Sequence, residues 1–133
     1  MPNHIHFLAR LKNHQVLEPE TKSNKQITQP FSNQFNSYTK AYNKKYNRMG
    51  SLFIPNFKRK PIEDNDYLTR VILYIHLNPV HHGFVKFPSL WEWSSFNIIA
   101  DEGESWIKKN EVINWFGTKE KFLNQHLTDL QGL

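Results

Sequence analysis

The chain has 133 residues, 38% of them hydrophobic, which suffices for one modest core and a single-domain expectation. It has no cysteine, which excludes disulfide scaffolds, thiolate metal sites and cysteine nucleophiles, and no run reads as a membrane span or secretion signal, so the expected setting is cytoplasmic with no membrane partner. The net charge of +5 is uneven: the first sixty residues hold eleven Lys and Arg against two acidic residues and the remainder is net acidic, a segregation that suits either a polyanion partner or a solvated face.

In chain order, His4-Ile5-His6-Phe7-Leu8-Ala9 reads as a short strand directly after Met1-Pro2-Asn3, and residues 10 to 29 read as a polar loop. Phe31, Phe35, Tyr38 and Tyr42 recur at spacings of four, three and four, predicting a helix from Phe31 to about Tyr46 with an aromatic packing stripe. Lys40 and Lys44 fall on its opposite side, and with Lys45 and Arg48 they form a basic patch able to touch phosphate. Asn47 and Gly50 break the helix. Leu52 to Phe57 reads as a second short strand with Pro55 near an edge, followed by Lys58-Arg59-Lys60.

The cap-forming residues from Glu63 to Asp66 precede an apolar periodic run, which predicts a helix over roughly 65 to 77, ended by Pro79. Leu68, Val71, Ile72 and Ile75 mark its core face, while Tyr67, Arg70, Tyr74 and Asn78 line a neighbouring one. Gly83 permits a turn, and Leu90, Trp91, Trp93 and Phe96 read as an aromatic strap over the core. Asn110 or Glu111 to Phe116 forms one further helix, and Thr118 caps another containing Phe122, Leu123 and Leu127; this tail reads as an accessory packing element.

On a strand, His4 and His6 aim both imidazoles to one face, a geometry that suits a divalent metal, although such a pair is also found as exposed or core histidines. Tyr74 is the candidate nucleophile, with a packing role as the alternative, and Asn78 lies one turn later, either as an oxygen ligand or as a helix-ending residue. His76, His81 and His82 read as exposed polar or phosphate-contacting groups.

These pieces resemble a known family. Met1-Pro2-Asn3-His4-Ile5-His6-Phe7-Leu8 is similar to the His-hydrophobic-His motif of the IS200-like tyrosine transposases, in particular the branch associated with repetitive extragenic palindromes. Leu52 to Lys58, Tyr74 to Val85 (YIHLNPVHHGFV) and Trp93-Ser94-Ser95-Phe96 follow in that branch's order, over residues 1 to about 96. The resemblance implies an α/β (α+β) fold, a ferredoxin-like antiparallel sheet with helices on one face, in which residues 1–100 form the catalytic core and 101–133 a helical carboxy-terminal extension. It implies Mg²⁺ or Mn²⁺ on His4, His6 and Asn78, with Tyr74 as the catalytic residue.

The activity implied is a single-stranded DNA endonuclease and strand transferase acting in DNA transposition on hairpin-forming DNA, through a 5′-phosphotyrosine intermediate. Lys40, Lys44, Lys45, Arg48, Lys58, Arg59, Lys60 and Arg70 are the DNA-binding candidates. The family ordinarily places a strand and a helix before the His-x-His motif, so the expectation is an amino-terminally truncated copy whose sheet is incomplete, with homodimerisation as one means of completing it. The alternative function is an inactive DNA-binding or interaction remnant of such an enzyme.

Overall fold

The computed structural model describes residues 4–10, 23–55 and 57–131, with the backbone alone at 23–27, 130 and 131. Expectations for Met1, Pro2 and Asn3, for residues 11–22 of the predicted loop and for Asn56 therefore fall outside the described residues. The chain divides into two compact units, one drawn from Met1–Ala9 and Pro61–Leu133, the other from Arg10–Lys60.

The expected α/β ferredoxin-like sheet is overturned. The described residues form five α-helices and one short 3₁₀ turn, and none of them is in a strand. His4 to Ala9 is irregular and exposed, with Ile5 55% and Phe7 65% accessible, so it is not packed as a sheet strand would be. Its alternating pattern suits a strand, but a strand exists only as one half of a hydrogen-bonded pair. Leu52 to Phe57 fails for a different reason. Its described residues are irregular, Phe53 and Phe57 pack against a helix, and Pro55 has no N–H to donate to a ladder.

That helix, α1 (Ser23–Lys45), begins well before the aromatic stripe that predicts it and carries Pro30 inside it. The stretch from Ser23 to Gln29, expected as loop, thus belongs to a helix; Lys25, Gln26 and Gln29 are good helix formers without apolar periodicity. In this unit Phe31 and Phe35 pack against Phe57 (ring centroids 5.9 and 5.6 Å), and Phe35 and Tyr38 against Phe53 (4.9 and 6.1 Å). Asn47, at φ 46°, takes the left-handed conformation just past the helix end, where asparagine is tolerated better than most residues. Asn43 Nδ2 and Arg48 Nη2 then donate to the carbonyls of Gly50 and Ser51 and hold the loop.

The second unit is a helical assembly. Helix α2 (Asn65–His81) starts where its cap predicts: Asp64 is extended, its carboxylate accepts from the Tyr67 N–H, and its carbonyl accepts from Leu68. Its end is not where Pro79 predicts. Pro79 lies inside the last turn, and the helix closes beyond it with Gly83 N–H donating to Val80 and Phe84 N–H to Pro79. This is a Schellman closure, and it needs the left-handed φ of 71° that Gly83 supplies. The stop is set by the glycine, and the proline costs only one intrahelical bond.

The 3₁₀ turn Pro88–Leu90 leads to α3 (Phe96–Ala100), α4 (Lys109–Phe116) and α5 (Lys119–Gln131). Gly117 separates α4 from α5 at φ 89°, and Thr118 caps α5 through its hydroxyl, which accepts from Lys121 N–H at 3.1 Å. Ile72, Phe96, Ile99, Val112, Phe116 and Phe122 form one buried cluster. The tail expected as accessory packing supplies three of these six residues, including the fully buried Phe122. Burial of each phenylalanine contributes about 1.5–3 kcal/mol relative to exposure. The expected aromatic strap is only partly present: Phe96 is buried, but Leu90 is 61% and Trp93 79% exposed. Among the described residues, no helix is long and apolar enough to cross a membrane.

Candidate functional site

The chain brings two of its predicted chemical elements together. His6 meets the ring of Tyr74 edge-on, with centroids 5.5 Å apart and planes at 74°, and His4 meets His6 at 5.1 Å and 86°. All three are exposed, Tyr74 by 51%, so the cluster is open to a large substrate. The strand predicted to aim both histidines is absent, yet the two rings still meet, and that of His6 touches Tyr74 on the exposed face of α2. Partial burial of the His6 ring, together with the His4 charge, holds its pKa below the ordinary histidine value. The neutral imidazole, whose lone pair binds metal, is therefore its dominant form at neutral pH.

Asn78 lies one helical turn beyond Tyr74, but deeper: it is 2% exposed, and its Oδ1 has no hydrogen-bond partner among the described residues. An unpartnered buried carbonyl oxygen of this kind costs about 1–3 kcal/mol, so something is needed to account for it. Two imidazoles and a carboxamide oxygen fit part of the shell of a hard divalent ion, with the remaining positions suited to phosphate oxygens and water. Among the described residues, no three His, Cys, Asp or Glu side chains gather into a fuller metal-binding group.

The basic candidates divide between the units. Arg70 is on α2, one turn before Tyr74, with its guanidinium 6.0 Å from the Tyr67 ring centre. Lys40, Lys44 and Lys45 lie on α1 in the other unit, followed by Arg48, Lys58, Arg59 and Lys60; all seven are exposed. Arg48 donates to Asn43 Oδ1 at 3.2 Å and so serves the loop as well as any ligand.

A second histidine cluster corrects the expectation for His76. Expected to be exposed, it is 1% accessible, and its Nδ1 lies 2.9 Å from Nε2 of the equally buried His126. His76 Nε2 is 2.9 Å from Ser95 Oγ, and His126 Nδ1 is 2.7 Å from the Phe122 carbonyl oxygen. These contacts fix the proton order. A carbonyl only accepts, so His126 Nδ1 must donate, which leaves neutral His126 Nε2 as an acceptor. His76 Nδ1 then donates to it, and His76 Nε2 accepts from the Ser95 hydroxyl.

Burial pushes the pKa of His76 down to about 3, aided by the His126 charge, and burial also lowers that of His126. Every ring nitrogen is used, so this pair joins α2 to α5 and to the start of α3 instead of presenting a lone pair to a ligand. The signal that could have revealed it is the place of His76 between Ile75 and Leu77, four residues after Ile72, and of His126 four residues after Phe122. His81 and His82, in contrast, are exposed as expected. No protein-family profile, curated protein or solved structure matches this chain.

Proposed function

We propose that this chain is a metal-dependent DNA-nicking and strand-transfer enzyme of the IS200-like tyrosine transposase kind, with Tyr74 as nucleophile. The observation that carries the reading is the approach of His6 to Tyr74, because the two come from separate motifs more than sixty positions apart in sequence. The reading rests on that convergence and on the order of the motifs, and owes nothing to a ferredoxin-like sheet.

In this mechanism the Tyr74 hydroxyl oxygen attacks a backbone phosphorus of single-stranded DNA, and the bond from phosphorus to the 3′ oxygen breaks. The phenolic proton passes to solvent, which reaches the half-exposed ring, and the leaving 3′ oxygen takes up a proton. The products are a 5′-phosphotyrosine and a free 3′-OH, and the covalent bond conserves the phosphodiester energy for rejoining. His4, His6 and Asn78 would hold Mg²⁺ or Mn²⁺, which supplies Lewis-acid charge to the phosphate oxygens. Arg70, one turn from Tyr74, places a further positive charge on the same helix face and offsets charge developing on phosphate.

The test is covalent capture. Hairpin-bearing single-stranded oligonucleotides incubated with the protein and Mg²⁺ or Mn²⁺ should yield a protein–DNA adduct that mass spectrometry places on Tyr74. Tyr74→Phe should abolish the adduct while leaving DNA affinity within about twofold, and His4→Ala or His6→Ala should lower its yield far more than binding. An adduct on Tyr42, Tyr46 or Tyr67 would refute the assignment. Metal-independent binding with no adduct would leave the alternative function, a DNA-binding remnant.

A further inference from the structure

We infer that the face of α1 carrying Tyr38, Tyr42 and Tyr46 is a base-stacking strip for single-stranded nucleic acid, with Lys45 as its phosphate contact. The inference rests on the proposed function for the identity of the strand and adds a surface that the candidate active site does not contain. The three tyrosines recur every fourth residue, Tyr38 and Tyr42 on α1 and Tyr46 one residue past its end, where its N–H still donates to the Tyr42 carbonyl, so they form one row. The inner end of the stripe is used for packing, since Phe31 and Phe35 meet Phe53 and Phe57. The outer end is covered less: Tyr38 also meets Phe53, at 6.1 Å, yet Tyr38 and Tyr46 are each 55% exposed. Tyr38, Ala41, Tyr42, Lys45 and Tyr46 line a shallow open depression of about 250 Å³.

The ring geometry suits bases. Tyr38 and Tyr42 lie 6.3 Å apart with planes only 29° from parallel. A base stacks on an aromatic face at about 3.4 Å, and near-parallel neighbouring rings offer it such faces in series. Tyr42 and Tyr46 are closer, at 4.4 Å, too near to admit a base between them, and Tyr46 is more than half exposed. Lys45 Nζ sits 5.3 Å from the Tyr46 ring centre, where a phosphate linking stacked bases would find its counter-charge.

Charge selects the occupant. From Ser23 to Lys60 the sequence has eight basic residues and no acidic one, so the strip lies in a uniformly positive segment. An apolar peptide gains nothing from that field, whereas a polyanion with aromatic bases matches both features. Stacking tolerates any base, so the strip should hold a strand without reading its sequence.

The experiment compares two probes on the full chain by fluorescence anisotropy: an oligothymidylate and an abasic sugar-phosphate strand of equal length and charge. The expected result is at least tenfold tighter binding of the oligothymidylate. Changing Tyr38, Tyr42 and Tyr46 together to Leu should abolish that preference, and changing all three to Phe should retain it. Lys45→Gln should weaken both probes and reduce the salt-dependence slope by about one.

Equal affinity of the unaltered protein for the two probes, or binding of neither, overturns the proposal, a result that does not depend on how well the Leu variant folds. Equal competition by an acidic polypeptide would point to a protein partner and also overturn it. Covalent capture on the same preparation separates the two readings: an adduct without base preference removes the strip alone. Base preference without an adduct removes the nicking reading and leaves the strip in place.

Discussion

Two histidine pairs in this molecule have ring centroids 5.1 Å apart, and they do opposite things. His4 and His6 cross edge to face on an exposed segment beside Tyr74, whereas His76 and His126 stack at 30° in the core, with all four ring nitrogens in hydrogen bonds. Histidine proximity therefore says little about chemistry until the partners of each nitrogen are counted. The buried pair has spent its lone pairs on Ser95 and on itself, and its role is to align α2 with α5. The exposed pair lies outside the core, where a metal or a phosphate can reach it. Helix α2 separates the two functions, since His76 points from its buried side and Tyr74 from its exposed one.

The comparison is broken most directly by truncation. His76→Ala should destabilise the protein by about 3 kcal/mol, because it opens a cavity and leaves both the Ser95 hydroxyl and His126 Nε2 without a partner. His4→Ala or His6→Ala should cost less than about 1 kcal/mol, as expected for exposed side chains. Urea denaturation followed by circular dichroism measures the difference, and equal losses in the two pairs would erase the distinction. Acid provides a second and smaller effect. An unfolded His76 takes up a proton near pH 6.5, but in the folded chain it does so only near pH 3. Between those values the unfolded state binds more protons, so stability falls as pH drops below about 6.5. The slope should be about 1.4 kcal/mol per pH unit for His76, with a contribution of the same sign from His126. The range from pH 6.5 to 5 isolates this effect from most carboxylates, and a His76→Leu variant that folds should show a shallower slope there.

The sequence reads well where a local rule has no competitor. The Asp64 cap, the Thr118 cap and the end at Phe116 all mark helix boundaries that occur. It reads poorly where structure is a property of two segments. His4 to Ala9 and Leu52 to Phe57 have the composition of strands, but composition cannot supply the neighbour that a ladder requires. Pro79 shows local rules in conflict, for Gly83 offers a closure that tolerates a proline in the last turn. The site divides similarly. The motifs single out His4, His6 and Tyr74, and the His6 ring meets both others; the helical register of His76 and His126 hints at burial, but their contact is not legible, because the partners are fifty residues apart. Asn78 reads from sequence as either an oxygen ligand or a helix-ending residue, whereas its burial and its unpartnered oxygen belong to the packed helix.

The smallest expected effect sharpens the comparison without perturbing the core. If the His6 pKa is lowered by desolvation against α2, then removing the ring it touches should relieve that burial. Tyr74→Ala should therefore raise the His6 pKa toward the ordinary histidine value, while Tyr74→Phe, which keeps the ring and loses only the hydroxyl, should leave it low. The edge-on ring contact is worth at most about 0.5–1.5 kcal/mol, and exposure places this one near the lower limit, so neither variant should shift global stability by more than about 1 kcal/mol. Proton–carbon NMR titration of the imidazoles in metal-free buffer reads all seven histidines at once. His76 and His126 serve as internal controls: their burial lies in the α2–α5 core, and neither should respond to a change at Tyr74. A rise at His6 alone would show that the amino-terminal segment rests on Tyr74 in solution. An unchanged His6 in Tyr74→Ala would mean that the contact is not maintained, and would remove the geometric support from the nucleophile and metal assignments together.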